Sequence, residues 1–573
     1  MTDHLQKKLQ DKLNREFNES VSIQIDDDCI RVSGKLNEWK DVVKACQMCA
    51  VKNSRRHVVN DIQFTGAEIP SMRIPEVTSN ELDGRKPDVL IIGGGISGAS
   101  IARELMRCKL DVLLVDKESD LAMQASGRND GEVHPGVDLG KGSLKQKYVL
   151  RGNAMYERVC RELSVPFNRC GQYVGFTQKM LRPVIEAYAM QRKYACGVKD
   201  TEVISKEKLQ EREPGLNPEF AFALYNPTAG CVCPYGLTIA YAENAVDNGA
   251  AVSLNTAVLG MQVENHKIIS VETNKGTIYP KIVINAAGTF AEDIAAMAED
   301  RFYSIHPRRG TNSIMDKKSG HLVHSISSIK TLSRNTGHTK GGGILHTVDD
   351  NLLVGPNAVE TYEKENFATE ARSIDEVFKK QTQTAPNLSK QDIITYFTGV
   401  RAATFEEDFI IEKGRRTENL IHCAGIQSPG LTTAPAVAED VASMAAQMLH
   451  AEKNTAFNPN RKGIPVLRKM SEAQRDEMIQ KNPDYGVIVC RCEEISKGEI
   501  LDAMHASIPV HTIDGIKKRV RPGMGRCQGG FCMPLVAQII AQEDHAALES
   551  VRKSNEGSVI TYRPTKGNDH ETV

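Results

Sequence analysis

The segment DVLIIGGGISGASIARELMRCKLDVLLVDKE, which begins at Asp88, leaves the chain few ways to fold. An apolar run of strand length meets a glycine turn, a stretch of helical period follows, and a second apolar run closes on an acid. This order is the opening βαβ unit of a doubly wound α/β domain, because parallel strands need a crossover helix between them. Gly93, Gly95 and Gly98 supply the tight turn, the close approach of backbone to a pyrophosphate, and the helix–strand packing. The helix starting there offers free N–H groups and a positive dipole end. Asp116 stands where a ribose hydroxyl would be accepted. A dinucleotide is the expected ligand, and the loop alone does not separate FAD from NAD.

A second signature lies far downstream. Cys490 and Cys492 in VIVCRCEE, with Cys527 and Cys532 in GMGRCQGGFC, form two compact pairs separated by a helix-length spacer, which is how thiolates converge on a soft metal centre. Zinc competes with a [2Fe-2S] cluster for such a set, but a zinc ribbon usually spaces each pair by two residues. The unequal Cys-x-Cys and Cys-x4-Cys spacing favours iron–sulfur. The stretch resembles the bacterioferritin-associated-ferredoxin type of [2Fe-2S] domain. Two redox signatures in one chain predict an enzyme that moves electrons between centres.

At 573 residues the chain holds about three or four domains by the usual length prior. Its 72 basic and 73 acidic residues advertise no nucleic-acid partner. Fourteen cysteines, mostly dispersed, fit a reducing cytosol. No apolar run reaches membrane-spanning length and the N-terminus lacks a signal-peptide core, so a cytoplasmic protein is expected, with peripheral membrane attachment left open.

Residues 1–66 read as a small α+β module that loosely resembles BON domains. Within it Cys46 and Cys49 lie one helical turn apart and are expected to pack. A polar linker is expected at 67–86, the main catalytic body at 87–452 with a second lobe inserted in its middle, a second linker at 453–484, the cluster domain at 485–545 and a tail from 546 to 573. The fold class expected is α/β: a Rossmann-like dinucleotide domain carrying an antiparallel-sheet substrate lobe, flanked by the two small domains.

The segments ASGRNDGEVHPG, IVINAAGTFAEDIA, FTGVRAA and GIQSPGLTTAPAVA, in that order, resemble the D-amino-acid-oxidase-like flavoenzyme superfamily. Within it the look is toward the catalytic subunits of anaerobic glycerol-3-phosphate dehydrogenases and toward L-2-hydroxyglutarate dehydrogenases. The resemblance implies FAD, held by the glycine loop with Ser126, Arg128 and Asn129, by Ala287 and Gly288, and by Gly425, Gly430, Leu431 and Thr432. It also implies dehydrogenation of a small hydroxy substrate, with electrons passing through the cluster to a protein or a quinone-linked acceptor.

Arg401 matches the superfamily's substrate-binding arginine, whose guanidinium offers a fork for a carboxylate or phosphate. His134 is the expected base, since imidazole takes up and releases a proton near neutral pH. Arg308 and Arg309 either add positive charge to the pocket or face solvent. Asp138 departs from the relatives' arginine, and an aspartate about 4 Å from a substrate anion would cost on the order of 4 kcal/mol at an effective dielectric of about 20. Together with Gly310, Thr311 and Asn312 in place of Gly-Glu-Tyr, that argues against glycerol 3-phosphate and L-2-hydroxyglutarate and toward an amine or a polyol. An amino-acid or opine-type amine dehydrogenase and a pure electron-transfer subunit remain alternatives. Cys231 and Cys233 are expected to pack.

Overall fold

The computed structural model describes residues 2–51, 54–330 and 342–563. Its centre is a six-stranded sheet ordered Ala251–Ser253, Val112–Val115, Val89–Ile92, Ile282–Asn285, Leu420–Ala424 and Ile410–Lys413. The first five are parallel, and the last pairs antiparallel at the edge. Val89–Ile92 and Val112–Val115 are buried at every residue, the pattern of strands covered on both faces. Helices Ile96–Leu105 and Gly430–Met448 pack together over the same core as these strands.

The second lobe is a nine-stranded mixed sheet. Its longest strands, His306–Met315 and Ile393–Ala403, run antiparallel in a register that sets Arg308 opposite Arg401. Each of the two strands therefore delivers an arginine to one level of the lobe.

Residues 2–64 fold as helix Thr2–Phe17, strands Val21–Ile25 and Cys29–Leu36, helix Trp39–Cys49 and strand His57–Phe64. This unit is seated on the catalytic body: Phe405 joins its core, Val58 N–H donates to Glu406 and Asn60 N–H to Ser304 Oγ. Cys46 and Cys49 are buried there, and burial pushes Cys49 up to about 12.

The connections are more ordered than their composition implies. In the stretch expected as the first linker, backbone N–H groups of Ser79, Leu82 and Gly84 bond the meander around Asn274–Thr277. The second contains helix Glu472–Lys481 with a Ser471/Gln474 capping box, and Arg461 reaches back to Glu243. Residues 546–563 of the expected tail fold onto the cluster domain, where Ile513 N–H and Asp514 N–H bond Arg552 O and Lys553 O. The remainder of that tail lies outside the described residues. In each case polar side chains and backbone groups found partners on the body rather than water.

Candidate functional site

Gly93 adopts φ +115°, and a Cβ there would lie 2.4 Å from Ala286 O, so only glycine fits between the two central strands. A Cβ at Gly98 would meet Gly93 O at 1.9 Å, which fixes the helix against the turn. Ser126 Oγ accepts from Ile96 N–H at 2.8 Å, bringing the Ser126 loop to the helix N-terminus where a pyrophosphate would be held. Asp116 accepts from the N–H groups of Gly94 and Glu118, and burial pushes its carboxyl up to about 6. Asn129 is a turn-former: its amide donates to Ala125 O and Ser126 O and accepts from Gly131 N–H. Arg128 donates to Met123 O and lies over the Phe367 ring.

Gly288 and Gly425 both have positive φ beside the central strands, and a Cβ at Gly425 would press on Thr404 at 2.7 Å. Ala287 immediately precedes Gly288. Gly430 and Leu431 open the long helix Gly430–Met448, and Thr432 Oγ1 accepts from His134 N–H at 2.9 Å. Gly93, Gly288 and Gly425, each with positive φ, follow the ends of three neighbouring strands of the central parallel sheet, so backbone without side chains is presented where a dinucleotide binds, which fits FAD.

His134 Nε2 lies 3.3 Å from Glu132 Oε2, and Glu132 in turn accepts from Gln172. Glu132 was missed in the sequence, although two residues apart on a strand is same-face spacing.

Around Arg401 the charges divide sharply. Arg308 is buried and bonded at 2.6 Å to both Glu360 and Glu407, and Arg309 pairs with Glu370. Neither faces solvent alone. Burial would push Glu407 up, but Arg308 and Lys145 beside it hold it down at about 2. Arg401, by contrast, makes no ion pair among the described residues. Its guanidinium donates to Asn357 O at 3.2 and 3.3 Å and to Arg309 O at 3.4 Å, backbone oxygens only. It lies across Gly310, whose missing Cβ would stand 2.4 Å from the guanidinium. Burial disfavours its charge, Asp130 offsets part of that, and Arg308 adds to it. Such a cation has donor capacity that an anionic ligand could use.

Asp138 is exposed, in a loop held by helix Arg182–Cys196: Tyr188 donates to Val137 O and Arg192 to Leu139 O. Cys231 is buried and donates to His346 O, and Cys233 caps helix Pro234–Asp247, whose Tyr235 hydroxyl lies 3.3 Å from Met524 Sδ of the cluster domain.

In the cluster domain, Cys490 and Cys532 are buried, Cys527 is half-buried and Cys492 is exposed. Cys490 Sγ and Cys492 Sγ stand 3.8 Å apart, and a Cβ at Gly525 would lie 2.4 Å from Cys492 Sγ. Cys532 and the amides of Gly523 and Glu493 pull Cys490 down to about 5, and the amides of Phe531, Gly529 and Gly530 outweigh desolvation at Cys527. Backbone N–H groups aimed at thiolate sulfur, three of these five from glycines, are what an iron–sulfur cluster needs. Although no three His, Cys, Asp or Glu among the described residues crowd onto one ion, the thiols follow one another as 532, 490, 492, 527, a spread suited to two irons.

The domain is locked to the body by buried charge. Asp349 takes Arg468 at 2.5 Å and Arg521 at 2.7 Å, Glu493 takes both arginines and Lys317, and Asp120 takes Lys518 and Arg519.

A family model described as FAD dependent oxidoreductase matches residues 88–444, and one described as BFD-like [2Fe-2S] binding domain matches residues 488–542. The chain is 38% identical over 485 residues to a glycerol 3-phosphate dehydrogenase of Caloramator mitchellensis, covering 84% of this chain and 99% of that protein. It is 25% identical to an anaerobic glycerol-3-phosphate dehydrogenase subunit from Escherichia coli strain K12, over 78% and 87% of the two chains. Among solved structures, the dithionite-reduced L-alpha-glycerophosphate oxidase of Mycoplasma pneumoniae with FAD bound superposes with TM-score 0.60 and 26% identity, covering 66% of this chain and 98% of that one.

Proposed function

The chain belongs to the FAD dependent oxidoreductase family and carries a BFD-like [2Fe-2S] domain, and from that premise we propose that its substrate is glycerol 3-phosphate. The observation that carries this reading is Arg401, a deep-set guanidinium bonded only to backbone oxygens and so able to receive a phosphate. The similarity to glycerol 3-phosphate dehydrogenases along most of the chain supports the same substrate. The repulsion expected from Asp138 loses its force, because that side chain is exposed and screened by water.

FAD supplies hydride acceptance and the cluster single-electron transfer when they are bound. The remaining work belongs to side chains. Arg401 orients the anionic end, His134 takes the hydroxyl proton, and Glu132 steadies the imidazolium that results. Cys490, Cys492, Cys527 and Cys532 would hold the cluster, and the surface where Cys492 is exposed and Phe531, between two of the cysteines, is 84% exposed would receive an acceptor protein.

Anaerobic bleaching of the flavin by a panel of glycerol 3-phosphate, L-2-hydroxyglutarate and amino acids tests the reading. Rapid bleaching by glycerol 3-phosphate with formation of the keto phosphate is expected. Bleaching by an amino acid instead, with an imine product, would overturn it.

A further inference from the structure

Helix Arg182–Cys196 lies on the outside of the substrate lobe, against strands Glu202–Ser205 and Phe222–Asn226. Its inner face buries Ala189 and Cys196 and half-buries Ile185 and Tyr188 in a cluster with Phe176 and Phe222. At 100° per residue the opposite face gathers Val184, Ala187, Met190 and Tyr194, with Met180 from the preceding turn on the same line. Met180 is 81% exposed, Val184 64%, Met190 59% and Tyr194 78%. A single exposed apolar residue is ordinary, but a stripe of this length is the mark of a contact surface.

The charges around the stripe are mostly basic, with the exposed Asp200 following directly after the segment. Residues 179–199 hold five basic side chains, Lys179, Arg182, Arg192, Lys193 and Lys199, and one acid, Glu186, which Arg182 already engages at 2.8 Å. Arg192 is turned inward to Leu139 O, whereas Lys179, Lys193 and Lys199 are exposed and make no ion pair among the described residues. Lys193 Nζ sits 5.8 Å from the Tyr194 ring centre, placing an ammonium at the border of the apolar stripe. An apolar stripe of flexible methionine and a tyrosine, rimmed by unpaired lysines, complements anionic headgroups over acyl chains. No helix among the described residues is long and apolar enough to cross a membrane, so the contact is peripheral.

We propose that this helix is the chain's docking surface for an anionic lipid bilayer, with Val184, Met190 and Tyr194 entering the interface and Lys179, Lys193 and Lys199 meeting lipid phosphates. The test is co-sedimentation of the full-length, FAD- and cluster-loaded protein with vesicles of phosphatidylcholine alone or mixed with phosphatidylglycerol. Binding to the mixed vesicles, weakened by salt and absent on pure phosphatidylcholine, is expected. The double substitution Val184→Glu and Tyr194→Glu lowers the partition coefficient by about tenfold, and Lys193→Glu with Lys199→Glu by a similar factor, while flavin absorbance and melting temperature stay at parental values. No vesicle binding by the parent, unchanged binding in both variants, or loss of self-association in the variants without any vesicle binding would each overturn the proposal, the last assigning the stripe to a second copy of the chain.

Discussion

The substrate lobe and the seam with the cluster domain are both built around buried or half-buried arginines, and they use them in opposite ways. At the seam Arg468 and Arg521 share Asp349 and Glu493, so each guanidinium is answered by one carboxylate of the body and one of the cluster domain. In the lobe Arg308 is answered by Glu360 and Glu407, yet Arg401, opposite it in register, has only backbone oxygens among the described residues. A paired buried arginine acts as a rivet, because removing either partner strands a charge; an unpaired one is held ready for a ligand. Pairing, more than burial or residue type, separates the structural arginines from the proposed substrate anchor.

Breaking the rivet gives the largest expected effect. Glu493→Ala leaves Lys317 without its carboxylate and Arg468 and Arg521 crowded on Asp349 alone, and loss of about 3–5 kcal/mol is expected at the seam. Limited proteolysis near residues 453–470 would speed up and flavin-to-cluster transfer in stopped flow would slow. Arg401→Leu, in contrast, should lower kcat/KM by about 10²–10³-fold, the worth of a bidentate charge-assisted contact, without lowering the melting temperature. Should Arg401→Leu destabilise the fold as Glu493→Ala does, the distinction between rivet and anchor collapses.

Acid sharpens the same contrast. Burial alone would push Asp120 up, but Arg519 and Lys518 overcome it and hold the carboxyl at about 2. A depressed carboxyl contributes stability that is fully present above its unfolded value of about 4 and is lost as pH falls through the folded one, here about 2–3 kcal/mol between roughly pH 4 and 2. Acid unfolding of the parent and of Asp120→Asn should therefore converge toward pH 2 and diverge above pH 4. Smaller again is Gly310→Ala, whose Cβ would press on the Arg401 guanidinium: about tenfold in kcat/KM, mainly through KM. Asp138→Asn should change kcat/KM by no more than about twofold, since exposed charges act weakly through water; a large gain on phosphate substrates would return Asp138 to the pocket.

Local chemistry explains what could be read in advance. The two strands, the glycine turn and the helix from Val89 to Val115 are contiguous, so their periodicity and their glycines carried the dinucleotide fold. The cysteine pairs were equally legible, as short spacings bring thiols together whatever the surroundings. Legibility failed where partners were distant. Nothing near Asp138 announces that helix Arg182–Cys196 covers its neighbours Val137 and Leu139 and leaves the carboxylate outside. The linker and tail compositions were polar, yet Ser79, Arg461 and Arg552 are all engaged with the folded body, because polarity states what a segment can bond and not with whom.

The sequence by itself determined the doubly wound sheet, the cofactor loop and the thiol set of the cluster, since each rests on periodicity or on spacing along a short stretch, whereas His134 and Arg401 came forward as candidates through the family resemblance. Only the tertiary structure decided which arginine stays unpaired. That depends on the register of His306–Met315 against Ile393–Ala403, on Glu360 arriving from the short edge strand Val359–Glu360 and Glu407 from a turn, and on Asn357 offering a carbonyl instead of a charge. Electrostatic energy falls with distance in space and is blind to distance along the chain.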